Sequence, residues 1–112
     1  MTDAAAEMRA HEIFDPIADE FLAMPDVDIG PMFGSEGLRV RGKVFACLTS
    51  QGLLMLKLPA ERVDELDGAH GIERMVMRER AMREWLTVPV ETSDRWHPLI
   101  GEAHAFVDSI TP

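Results

Sequence analysis

Apolar side chains recur at Phe14, Ile17, Ala18, Phe21 and Leu22, the i, i+3, i+4, i+7, i+8 spacing that lines one face of a helix. Asp15 and Pro16 fit an N-cap and a first helical position; the alternative is one helix that begins near Asp3 and bends at Pro16. Either helix stops at Met24-Pro25, because the residue before a proline avoids helical backbone. From Val27 the pattern changes to short extended pieces divided by Gly30, Gly34 and Gly37, with a strand end and tight loop around Met32-Phe33. Leu38, Arg39 and Val40 alternate, Arg41-Gly42 reads as a two-residue turn, and 43–49 is rich in strand formers. Ser50, Gln51 and Gly52 turn the chain into 53–58, completing a three-stranded meander. Pro59 opens a short helix through Val63 and Leu66 that ends at Gly68. Two extended segments follow near 74–77 and 83–88. A last helix carries Trp96, Leu99, Ile100, Ala103, Val107 and Ile110 on one stripe.

The order is helix, three strands, helix, two strands, helix. It predicts an α+β domain of two layers spanning 1–112, an antiparallel sheet of about five strands with helices on it. A three-residue turn at 50–52 sets Thr49 opposite Leu53, so that Ala46 faces Leu56 and Phe45 faces Lys57. Strict alternation then sorts the hairpin into two faces. Val44, Ala46, Leu48, Leu54, Leu56 and Leu58 form an aliphatic one. Phe45, Cys47, Met55, Lys43 and Lys57 form a mixed one, joined by Leu38 and Val40 through the Arg41-Gly42 turn. A buried unpaired lysine costs several kcal/mol, whereas an aliphatic side chain left wet forfeits about 1.5–3 kcal/mol. The aliphatic face is therefore expected under the helices. The mixed face is expected to be open and to carry a partner surface of Leu38, Val40, Lys43, Phe45, Cys47, Met55 and Lys57.

Charge changes this picture in one respect. The net charge is −9, which argues against phosphate-backbone binding. Residues 1–36 carry a net −8 and 61–112 a net −5, but 37–60 hold Arg39, Arg41, Lys43 and Lys57 without one acid. Internal ion pairs with the acidic flanks are the expected fate of these four cations. The segment with Met75, Met77 and Met82 among Arg74, Arg78, Arg80 and Arg83 also contains Glu73, Glu79 and Glu84. It reads as exposed and ion-paired rather than as a nucleic-acid stripe. The single cysteine excludes an internal disulfide, and no apolar run approaches the length that spans a bilayer. The first ten residues lack the basic start and apolar core of a signal peptide, so a cytoplasmic setting is expected.

Catalytic chemistry finds little support. His97 and His104 stand seven residues apart, too far along a helix to grip one metal ion as an i, i+4 pair does. Cys47 lies between Ala46 and Leu48 in a strand with no histidine nearby in sequence, the pattern of a buried, inert thiol. The carboxylate pairs Asp15/Asp19 and Glu61/Glu65 fall on polar faces. Gly42-Lys43 is followed by Val44, so the hydroxyl of a phosphate-binding loop is missing. No metal, cofactor or enzymatic activity is expected.

Met32-Phe33-Gly34, Gly37-Leu38, Val40, Gly42-Lys43, Phe45-Ala46, Lys57-Leu58-Pro59, Arg62, Met82 and Glu84-Trp85 resemble, in order and spacing, the TfoX (Sxy) N-terminal domain family. The match runs from about Phe14 to about Val107. The resemblance implies a sheet with helices packed on it, as in secretion-chaperone domains, with Phe33 and Trp85 as core aromatics. TfoX regulates natural competence together with a cyclic-AMP-responsive transcription factor, and its full form adds a second domain related to helix-hairpin-helix modules. These residues are read as a stand-alone N-terminal-type domain without that second part. The function expected is that of a non-enzymatic regulatory or protein-interaction domain, contacting a protein partner or a second copy through the open sheet face, with no direct nucleic-acid or membrane contact. The alternative is a small-molecule sensor or an enzyme using a pocket between sheet and helices.

Overall fold

The computed structural model describes residues 4–32 and 35–112. The elements run α1 (Ala4–Leu22), β1 (Val27–Met32), β2 (Ser35–Val40), β3 (Lys43–Leu48), β4 (Leu54–Lys57), α2 (Ala60–Leu66), β5 (Glu73–Met77), β6 (Arg80–Val88) and α3 (Trp96–Ile110), with a 3-10 turn at Val90–Arg95 before α3. The fold is α+β. Six antiparallel strands form one open sheet in the order β1-β2-β3-β4-β6-β5. The strand beyond the expected five is β1, where Gly30 and Pro31 interrupt the β pattern. Proline is tolerated there because β1 is an edge strand and needs no donor on its outer side. Phe33 and Gly34, read from the sequence as a core aromatic and a loop glycine, lie outside the described residues.

Of the two readings of the first helix, the single helix holds: α1 runs through Pro16 and buries Ala10, Phe14, Ala18 and Phe21. In α3, Trp96, Leu99, Ile100, Ala103 and Val107 are buried, but Ile110, at its last position, is 54% exposed rather than part of the buried stripe. The β2–β3 and β3–β4 turns depend on left-handed backbone. Arg41 and Gly42 have φ of 47° and 84°, the mirror-image turn whose twist suits a hairpin. Gly52 has φ of 78°, and a Cβ there would lie 2.6 Å from the carbonyl oxygen of Ala6, so the first turn of α1 rests on the β3–β4 turn.

The β3–β4 register matches the expectation: Thr49 N–H donates to the Leu53 carbonyl at 2.8 Å, Ala46 opposes Leu56 and Leu48 opposes Leu54. The sorting into faces does not hold throughout. In the β2–β3 ladder Leu38 opposes Ala46 while Arg39 opposes Val44, so Phe45 is an extra residue, a β-bulge. The bulge resets the alternation. Phe45 joins Ala46 on the helix side, with its ring 6.2 Å from that of Phe21 and 5.2 Å from the imidazole of His104. Leu38 and Val40 lie in the same helix-packed core as Leu48, Leu54, Leu56 and Leu58. Val44, expected in that core, is displaced from it and half-buried.

Candidate functional site

Five of the seven residues assigned to an open partner surface are buried. Leu38, Val40 and Phe45 belong to the core beneath the helices. Cys47 and Met55 are 2% and 1% exposed, although they lie outside that core cluster. Burial pushes the Cys47 thiol up to about 12, which leaves it protonated at neutral pH. Only Lys43 and Lys57 keep solvent access, and both line grooves.

The first groove, of about 680 Å³, lies between the start of α2 at Ala60 and the first half of β6. Its origin is a mismatch in strand length. β4 ends at Lys57, opposite Trp85, because Pro59 follows and α2 begins; β6 extends back to Arg80. β6 also bulges relative to β5: Arg74 opposes Leu86 but Val76 opposes Ala81, so residues 82–85 face the single Met75. This bulged segment presents Met82, Arg83 and Trp85 to the groove, and the start of β6 adds Arg80. The second groove, of about 360 Å³, runs from the β2–β3 turn past Lys43 and Val44 to Ile110 at the end of α3. Lys57 and Trp85 line both. The ammonium of Lys57 sits 5.7 Å from the Trp85 ring centroid, within cation–π range, and 3.9 Å from the Glu84 carboxylate. Trp85, for which the family resemblance implies a core role, is therefore a half-buried groove residue; the fully buried indole is that of Trp96.

Electrostatics separate this region from the rest of the surface. Most cations of the acid-free stretch are neutralised by its flanks, as expected. Arg39 forms a two-pronged pair with Asp28 at 2.7 and 2.9 Å, which holds the Asp28 carboxyl below its ordinary range. Arg41 donates to Asp108 at 2.7 Å; outside the stretch, Arg62 donates to Glu102 at 2.9 and 3.1 Å. The methionine–arginine segment departs from expectation. Arg74 pairs with Asp64, but among the described residues Arg78, Arg80 and Arg83 form no ion pair. Among the described residues, the side chains lining the two grooves include four cations, Lys43, Lys57, Arg80 and Arg83, and one acid, Glu84, which pairs with Lys57. The sequence carried the residues but not this imbalance, because alternating signs along a segment do not tell which charges meet.

Elsewhere, His97 lies 3.3 Å from Glu20 and His11 2.9 Å from Asp15, while His97 and His104 both pack against the Phe21 ring. No cluster of three metal-ligating side chains occurs among the described residues, and no described helix is long and apolar enough to cross a membrane. Two further grooves, of about 460 and 470 Å³, lie between α1 and β1–β2 and between α2 and α3. Comparison with protein-family models, curated proteins and solved structures finds no match.

Proposed function

We propose that this chain is a non-enzymatic protein-interaction domain, in keeping with its resemblance to the TfoX N-terminal domain, and that its contact surface is the paired groove at Lys57 and Trp85. One observation carries the reading. In a chain of net charge −9 whose other strand arginines are tied to carboxylates, Arg80 and Arg83 stand without an ion pair among the described residues, beside a half-buried indole. Aromatic and arginine side chains anchor protein interfaces, since both bring large contact area and directional polar groups. The regulatory role and the cytoplasmic setting implied at the sequence level belong to the same reading.

Affinity capture from the source lysate with the native chain and with Trp85→Glu tests it, circular dichroism confirming that the variant folds. Partners retained by the native chain should be lost from the variant. Retention of the same proteins by both would remove the groove from the reading.

A further inference from the structure

We infer that the occupant of the groove is an extended acidic segment of another protein, carrying one apolar side chain that seats beside Trp85; this rests on the interaction reading above. Shape is the first reason. Lys57 and Trp85 line both grooves, so the lining runs from Ile110 on α3 through this pair to Met82 on β6. Beyond Lys57 no described strand pairs with residues 80–83 on the β4 side of β6, so an extended chain finds an open strand edge there.

Charge is the second. Four cationic side chains against one acid call for carboxylates, and the guanidinium groups of Arg80 and Arg83 match them through two parallel hydrogen bonds each. The third reason is the apolar lining between the cations. Val44 and Trp85 are half-buried, Ile110 is 54% exposed, and Met82 is an adaptable side chain at the groove wall. Such a floor accepts an aliphatic or aromatic side chain, a contact that a uniformly charged polymer does not make.

Other occupants fit less well. A second copy brings a further net −9 into contact with the first, and the acids Glu7, Glu12, Asp15, Asp19 and Glu20 of its most acidic element are fixed on the helix α1. A single-stranded nucleic acid needs an aromatic face on which to stack. Lys57 already lies over the Trp85 ring, and the acidic remainder of the molecule repels a long polyanion.

Fluorescence anisotropy with four labelled probes tests the assignment: a short polyglutamate peptide with a central phenylalanine, the same peptide without the phenylalanine, its polylysine counterpart, and an oligouridylate. The first should bind saturably at low salt and weaken as salt rises. Arg80→Glu combined with Arg83→Glu should weaken it at least about tenfold, with Arg80→Gln and Arg83→Gln intermediate. Removing the phenylalanine should also weaken it, and the other two probes should bind less. Absence of binding by the first probe, binding untouched by the charge reversals, or tighter binding of the oligouridylate would overturn the inference. Selection of phage-displayed random peptides on the folded chain separates the two levels. Peptides that lose binding on Trp85→Ala but show no enrichment in Asp or Glu would sink the acidic segment and leave the interaction groove standing. Recovered peptides indifferent to Trp85→Ala would sink both.

Discussion

Phe45 sits between α1 and α3, touching Phe21 and His104, and is fully buried. Truncation to alanine removes contacts from both helices at once, so Phe45→Ala should lower unfolding free energy by about 3–5 kcal/mol, read from urea midpoints. Lys57→Ala, at the groove, should cost far less. Cys47 has the opposite character: small, buried, and flanked so closely that a Cβ on Gly37 would stand 2.9 Å from its own. Its thiol rises from the ordinary 9.0 to about 12 on folding because burial disfavours the thiolate. The sign follows directly. The folded thiol holds its proton more tightly, so this stability is complete below pH 9 and is lost as pH climbs toward about 12. Cys47→Ala should therefore lose less stability than the native chain as pH rises from 9.0 toward about 12. Native Cys47 should also resist alkylation until the chain unfolds. At this scale the sequence was half legible. The Ser50–Gly52 turn specified which residues of β3 and β4 oppose each other, and they do. The bulge at Phe45 leaves no mark in an apolar run such as Val44-Phe45-Ala46-Cys47-Leu48, where either alternation looks equally good. One extra residue moved Phe45 into the core and Val44 out of it.

The elements were more legible than their ends. The apolar stripes of α1 and α3 and the Arg41-Gly42 turn are where the pattern placed them, since periodicity and turn chemistry are local. β1 was missed as a strand because its pairing with β2 is a tertiary fact that outweighs Gly30 and Pro31. The groove was missed because it arises from a length difference between β4 and β6 and a bulge in β6, neither of which is a property of one segment. Two predictions belong to this scale. The last turn of α3 is capped from outside: Arg41 donates to the Asp108 carboxylate and carbonyl at 2.7 and 2.8 Å and to the Thr111 carbonyl at 2.7 Å. These carbonyls lie at the helix end, where the i+4 N–H donor is missing. Arg41→Ala should cost about 1–3 kcal/mol, and Arg41→Lys should recover little, because an ammonium lacks the fork that reaches all three oxygens. The β5–β6 turn is strained instead, with Arg78 and Glu79 at φ of 53° and 65°. Non-glycine residues pay about 1 kcal/mol each in this conformation, so Glu79→Gly should raise the melting temperature while leaving the groove intact.

For the whole molecule, the arrangement of charge decides which partners are open to it. The acid-free stretch 37–60 suggests a basic surface, yet folding brings Asp28 to Arg39, Asp108 to Arg41 and Glu84 near Lys57. The acidic flanks thus neutralise most of the strands they enclose. What remains is a local cationic groove on an acidic body. Tight duplex binding needs about 6–10 phosphate contacts spread along the backbone, and each releases counterions. Lys43, Lys57, Arg80 and Arg83 supply fewer, Lys57 is engaged with Trp85 and Glu84, and the net charge of −9 repels the flanking phosphates. A labelled DNA duplex should accordingly show no saturable anisotropy change at low salt, under conditions where the acidic phenylalanine peptide binds. Saturable duplex binding near micromolar, falling steeply with added salt, would mean that the cationic groove continues into a phosphate-binding surface, and the acidic-peptide assignment would yield to a nucleic-acid one.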